Sequence, residues 1–389
     1  MAYLTHTIYE GTAVKFRVER DVLAEAVAWT ARSLPARPPV PVLAGVLLRA
    51  SDDGTLTISS FDYDVSARNE VSAAVSIGGV AVVQGQILAQ IAKALPNKPV
   101  SIELEGTRLV ITCGASRFVL HTMPTDDYPT LPEMPTPAGT VDAAAFNEAV
   151  LQVTTAAGRD ETLPLLTGVR MEIEGEKITL MATDRYRLAL KELAWTPADT
   201  SISQVALVRG RTLSDVAKSM TSAGTIEMSL QTEGGKQIIG FESGGRHTTS
   251  QLIEGDYPPV RRLFPDHTPT FAVAKTADMI DSARRVALVA ERNTPIRLTF
   301  TDGQVTLEAG QGDEAQASEA IEVTLTGEDI TTAFNPVLFL EGLNALGTQY
   351  VRLGFTHPSK PVLMSGQTGD GEEESGSFLY LLMPIRFAS

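Results

Sequence analysis

Cysteine is nearly absent. Cys113 is the single one in 389 residues, so no intrachain disulfide can form, and it sits in a strand-like pattern as a small apolar residue. A reducing compartment fits, and the expected location is the cytoplasm. Long apolar runs are missing as well. Stretches such as Val40 to Leu48 fall far short of the ~18 residues that a membrane span needs. Met1 to Lys15 lacks the apolar core and small-residue cleavage site of a signal peptide and reads as a short extension. The five histidines (His6, His121, His247, His267, His357) are scattered, with no His-x-x-x-His or Cys partner, so no metal site is expected. No Gly-x-x-x-x-Gly-Lys-Ser/Thr loop is present. The dinucleotide-like fragment Gly310-Gln311-Gly312 lacks a third glycine and runs into Asp313-Glu314, whose charge repels a pyrophosphate. Asp126-Asp127 and Glu372-Glu373-Glu374 read as solvated charge, and no nucleophile elbow marks a hydrolase. No cofactor is expected. An α+β metabolic enzyme with a site assembled from scattered residues stays open as an alternative, because such sites form in space.

Positive charge is also in deficit: 32 Lys and Arg stand against 47 Asp and Glu, a net charge of −15 at pH 7. That argues at first against a phosphate-binding surface. Net charge sums over all faces, however, and an acidic exterior is compatible with a locally basic lining.

What the chain does have is ordinary globular composition, 43% apolar and 20% charged, and a repeat. The stretch from Leu163 to Ala189 organises it. Pro164-Leu165-Leu166-Thr167-Gly168-Val169 echoes Pro41-Val42-Leu43-Ala44-Gly45-Val46 at an offset of 123, and Asp184 of Thr183-Asp184-Arg185 echoes Asp62 of Phe61-Asp62-Tyr63 at 122. A weaker third copy begins at Pro295-Ile296-Arg297-Leu298. Three units of about 125 residues follow, expected at 14–136, 139–265 and 269–389.

Each unit reads as two amphipathic helices among roughly eight strands. The first has a strand Lys15 to Val18, a helix from Asp21 to Arg32 that Asp21 can cap, and a helix from Ile87 to Leu95. Ser101 to Leu104 and Leu109 to Thr112 alternate around Glu105-Gly106-Thr107 as a hairpin. Tyr128 to Pro137 is a proline-rich linker. In the second unit Asp142 precedes a helix bearing Phe146, Ala149, Val150 and Val153, and Thr212 to Met220 is its second helix. The third has helices near Ala277 to Ala290 and Val337 to Leu346, a polar loop from Gly366 to Ser377 and a final strand from Leu379 to Phe387. Helices separated by runs of several strands make the class α+β with antiparallel sheets.

Two features suggest recognition. The Thr183 to Leu188 turn sets two arginines around Tyr186, with Leu166 and Val169 on an adjacent strand, and Leu381 to Phe387 is too apolar for a free tail. Both are also consistent with core edges.

The repeat, the Thr183-Asp184-Arg185-Tyr186-Arg187-Leu188 turn, the Tyr257-Pro258-Pro259-Val260-Arg261-Arg262-Leu263 segment and the Met383-Pro384-Ile385-Arg386 ending resemble the bacterial DNA polymerase III beta subunit, the sliding-clamp family. The resemblance spans about residues 14 to 389. Arg32 to Pro41 and Gly158 to Pro164 look like actinobacterial members. It implies a non-catalytic processivity factor: a head-to-tail homodimeric ring, helices inside and sheets outside, threaded by duplex DNA without sequence preference. The implied DNA contacts are Arg37, Arg159, Arg209, Arg211 and Lys218, while Glu25, Glu148 and Asp281 lie on the implied inner helices. Pro164 and Leu165 stand where some members carry aromatic residues that touch DNA, so the resemblance implies no such contact here. The implied partner groove uses Leu166, Thr183, Arg185, Tyr186, Arg187, Leu188, Pro258, Arg262, Leu263, Met383, Pro384, Ile385 and Arg386. It takes short linear peptides, with a glutamine and a terminal apolar pair, from polymerase, clamp loader and repair proteins. Arg187, Arg262 and Arg386 are expected to orient the peptide, and Arg185 and Tyr186 to narrow the pocket. The implied subunit joint pairs Phe118 and Leu120 with Leu288 and Val289.

Overall fold

The repeated Pro-to-Gly segment folds the same way twice. In the computed structural model, which describes residues 13–220, 224–232, 237–290, 294–310, 315–369 and 378–385, Pro41–Ala44 and Pro164–Thr167 each form one helical turn. Proline fits the first position of a turn because its fixed φ is already helical and its missing N–H would have no partner there. Leu166 therefore lies on this turn and not on a strand, as the sequence had suggested. The strands start one residue later, Gly45–Ala50 and Gly168–Glu174. A Cβ at Gly168 would sit 2.7 Å from Leu207 Cδ1, so the close packing of turn and strand requires glycine there.

The chain divides into two compact units, one of residues 1–140 and 225–251, the other of 141–224 and 252–389. In the first, Lys15–Val18 pairs with Val100–Glu105, and helices Arg20–Thr30 and Gly85–Ala94 lie together. Leu23, Ala26 and Val27 of one helix and Leu88 and Ala92 of the other bury against Phe16, Leu48, Ile58, Ile102 and Ile111. Asp21 lies within the first turn and pairs with Arg20 at 2.8 Å; the cap position belongs to Glu19, whose side chain makes no cap bond. Ser101–Thr112 and Glu105–Arg108 register the expected hairpin. Cys113 is fully buried, as a small apolar residue should be. The sheet continues through Thr55–Phe61 and Val65–Ser72 into Arg246–Gln251, Ile238–Ser243 and Thr225–Gln231. Its strands pair antiparallel, with His247 opposite Arg68 across the join between repeats.

The second unit is built likewise. Its nine-stranded sheet runs Ser203–Arg209, Gly168–Glu174, Lys177–Thr183, Arg187–Ala194, Phe378–Leu382, Val362–Gln367, Tyr350–Phe355, Thr270–Lys275 and Thr324–Thr326. Four further strands, Ala317–Glu322, Gln304–Ala309, Ile296–Thr301 and Ile330–Phe334, form a second sheet. Helices Ala143–Thr154 and Gly210–Met220 pack together, as do Thr276–Val286 and Pro336–Leu346. Asp142 accepts from Ala145 N at 2.8 Å, and Asn335 accepts from Val337 N and Leu338 N at 3.0 and 3.3 Å, so both side chains satisfy orphan amides at a helix start.

Two expectations near the C-terminus change. Gly366 and Gln367 belong to the strand Val362–Gln367, with Gln367 2% exposed, so the polar loop begins after them. The final strand ends at Leu382, because Pro384 brings no N–H to a ladder. Gln311, Gly312, Asp313, Glu314, Glu372, Glu373, Glu374, Arg386 and Phe387 lie outside the described residues.

Candidate functional site

The Thr183–Leu188 turn is held by its own side chains. Asp184 Oδ1 accepts from Tyr186 N and Arg187 N at 3.0 and 3.1 Å, and Thr183 Oγ1 donates to Arg187 O at 2.6 Å. This Asx turn leaves Arg185 at φ +81°, a conformation that costs a side-chain-bearing residue about 1–3 kcal/mol. Tyr63 stands at φ +77° in the first repeat, where Asp62 Oδ1 accepts from Asp64 N and Val65 N at 3.0 and 2.7 Å. The conformation therefore comes with the repeated turn.

Beside the turn, Leu381 pairs with Leu188 and Leu382 with Arg187, and Met383 N donates to Tyr186 O at 2.9 Å. Ile385 N then donates to Ala333 O at 2.8 Å, which ties down the apolar ending. Beneath lies a cluster of Leu188, Leu207, Tyr257, Val260, Leu363 and Leu381, edged by Leu165, Ile253, Phe264 and Leu379. Above it Tyr186, Leu263 and Met383 are 60%, 53% and 43% exposed. Three large apolar side chains left in water around a buried apolar floor are what a peptide anchor site needs. Arg185 and Arg262 are exposed, Leu166, Pro258, Pro384 and Ile385 half-buried, and Thr183 buried.

Arg187 departs from expectation. It is 4% exposed, with Nε donating to Asp184 Oδ2 at 2.9 Å and Nη1 donating to Glu341 and, at 3.3 Å, to Tyr380 Oη. Burial alone would lower its pKa, but Tyr380, Glu341 and Asp184 carry it above the ordinary arginine range. These bonds are internal, so Arg187 braces the turn from below. The partners that make it so, Glu341 and Tyr380, were missed. Burial pushes the Tyr380 phenol up to about 12, against the pull of Arg187, and its Oη donates to Leu338 O at 3.0 Å.

The basic residues are dispersed. Arg37 is exposed in the loop before Pro41–Ala44. Arg209 closes its strand, and Arg211 and Lys218 are exposed on Gly210–Met220, Arg211 with Asp215 at 4.0 Å. Arg159 is exposed and bonds Glu341 at 3.3 Å. The six long helices carry six Arg or Lys against seven Asp or Glu, so they form no strongly basic lining. Phe118, at 37% exposed, and the half-buried Leu120 lie on Ser116–Met123; Leu288, at 84%, and Val289 lie on the 3-10 turn Ala287–Val289. No group of His, Cys, Asp and Glu suited to a metal occurs among the described residues, and none of their helices is long and apolar enough to cross a membrane.

Family profiles decide the kinship. Those for the N-terminal, central and C-terminal domains of the DNA polymerase III beta subunit match residues 14–132, 140–259 and 261–386. The chain belongs to this family. It is 52% identical over 376 residues to the beta sliding clamp of Streptomyces coelicolor, covering 96% of this chain and all of that protein. It is 56% identical over 313 residues to that of Micrococcus luteus, covering 80% and 100%. Both relatives are actinobacterial. Among solved structures, the C. crescentus beta sliding clamp superposes with a TM-score of 0.88 at 26% identity, covering 96% of this chain and 99% of that one. The Bacillus subtilis clamp gives 0.88 at 24%, covering 96% and 100%. The fold is thus the three-domain α+β clamp fold, and the protein is a non-catalytic processivity factor of DNA replication that works with DNA and a polymerase. The metabolic-enzyme alternative finds no support in these relatives.

Proposed function

We propose that this clamp closes as a head-to-tail dimer around duplex DNA in the cytoplasm, and that partners dock as short peptides on the exposed edge formed by Tyr186, Leu263 and Met383. The polymerase, the clamp loader and repair polymerases are the partners of stated kind. The exposed apolar trio over the buried Leu188–Leu381 floor carries the reading. Leu166, Thr183, Leu188, Pro258, Pro384 and Ile385 shape the pocket, Arg185 and Arg262 flank it, and Arg386 belongs to the same ending. We take the three domains to span 14–136, 139–265 and 269–389.

Arg37, Arg159, Arg209, Arg211 and Lys218 are the proposed phosphate contacts. With helix charge nearly balanced, their grip is weak, and retention comes from topology. The groove is tested by titrating a labelled peptide carrying a glutamine and a terminal apolar pair. Deleting Met383 to Ser389 should abolish peptide binding and leave the dimer intact. Unchanged affinity in the truncated protein would refute the assignment. Retention by topology is tested separately: loaded protein should stay on nicked circular DNA and leave it on linearisation.

A further inference from the structure

Glu341 on Pro336–Leu346 holds two arginines at once. One carboxylate oxygen bonds the buried Arg187; the other accepts from the 83% exposed Arg159 at 3.3 Å. Arg187 is the brace under the Thr183–Leu188 turn, through Asp184 and Tyr380. Arg159 sits in the loop after Ala143–Thr154, and Gly158 N of that loop donates to Leu166 O at 2.7 Å. Glu341 is itself 31% exposed at the wall of a cleft of about 770 Å³ that Asn147, Leu151, Gln152 and Asn344 also line. Solutes can therefore reach the Arg159–Glu341 pair, while the Arg187–Glu341 pair is shielded on the arginine side.

We propose that Glu341 is a positioning residue for the peptide groove, shared between Arg187 and Arg159, so that a phosphate bound by Arg159 tightens peptide binding. The inference rests on the groove and on the Arg159 phosphate contact proposed above. A carboxylate divided between two cations stabilises each less than one committed to a single cation. When a backbone phosphate takes Arg159, the carboxylate commits to Arg187 and the turn that carries Arg185 and Tyr186 stiffens. A stiffer turn loses less freedom when a peptide settles on it, which raises affinity with no new contact. The coupling is reciprocal, so a bound peptide also favours phosphate at Arg159.

The test is fluorescence anisotropy of a labelled peptide with a glutamine and a terminal apolar pair, using the full-length protein, with and without a saturating short duplex whose own binding is followed by a second label. In the wild type the duplex should tighten the peptide about fivefold, the lower end of typical coupling. Arg159→Ala, at an exposed site with little bearing on folding, should bind the peptide that much more tightly without DNA and lose the duplex response. Glu341→Gln should weaken the peptide and lose the response, and the double variant should show no further effect of removing Arg159. DNA-free affinity unchanged in Arg159→Ala, or a duplex response retained there, overturns the proposal while leaving the groove intact. A wild type that binds no peptide removes the groove reading and this inference together.

Discussion

Arg185 keeps φ at +81° because the hydrogen bonds from Tyr186 N and Arg187 N to Asp184 Oδ1 reach across it and fix the backbone before the side chain has a say. An arginine pays there for its Cβ, and glycine would not. Glycine also gives up more freedom on folding, so the net gain from Arg185→Gly should be small, up to about 1 kcal/mol. Calorimetry should show a melting temperature equal to or slightly above wild type for Arg185→Gly and a clear loss for Arg185→Val, whose branched Cβ suits that region worst. A large loss in the glycine variant would mean that the guanidinium, and not the backbone, holds the turn. The part of this turn that chemistry repeats was legible in the sequence: Asp62 and Asp184 recur at a fixed offset and cap the same two amides. Arg187 was not legible. Its fate depends on Glu341, 154 residues away in the chain, and on Tyr380, and flanking residues say nothing of either.

At the scale of elements, the helix Pro336–Leu346 is the member that carries the site's hidden support. Its packing turns on Gly342. A Cβ there would lie 2.5, 2.8 and 3.0 Å from ring atoms of Tyr380, which is fully buried and bonded to both Arg187 and Leu338. Helix propensity favours alanine over glycine by about 1 kcal/mol. Overpacking a fixed ring costs about 1–3 kcal/mol, so the crowding should win. Gly342→Ala should therefore melt lower than wild type and also weaken the peptide, because the new Cβ pushes on the Tyr380 ring and moves Glu341 with the helix. A variant that melts higher would show the ring free to move. Periodicity found this helix. It misplaced Leu166, Gly366 and Gln367, since one-turn helices and the glycine-containing end of a strand leave too few residues to set a period.

For the whole molecule, the joins between repeats set the argument. Arg246–Gln251 adds to Val65–Ser72, and Gln251 N donates to Asp64 O at 2.8 Å; Phe378–Leu382 adds to Arg187–Ala194, and Met383 N donates to Tyr186 O at 2.9 Å. A three-repeat chain has only two such joins inside it. One edge of each kind is left over among the described residues. Ser116–Met123 pairs with Gly79–Gln84 only through Thr122 and Met123, and Ala317–Glu322 pairs only with Gln304–Ala309. Unpaired edges invite another chain, and a second copy would bring the complementary edge. Phe118, 37% exposed, lies on the first of these strands, and Leu288 is 84% exposed on the turn Ala287–Val289; both are the apolar residues we propose for the joint. In a closed pair the joint occurs twice, so one substitution is felt twice. Replacing a leucine buried at each joint by a charge forgoes about 1.5–3 kcal/mol apiece before any cost of burying the carboxylate. Leu288→Asp should accordingly weaken the dimer by at least about a hundredfold. Light scattering over a dilution series should then place the change from about twice 41.6 kDa to 41.6 kDa at a concentration at least about a hundredfold above the wild type's, while the melting of the separated chain changes little, because Leu288 is 84% exposed in it. A dimer that survives this change at nanomolar concentration would place the joint elsewhere and break the link between the leftover strand edges and the closing of the ring.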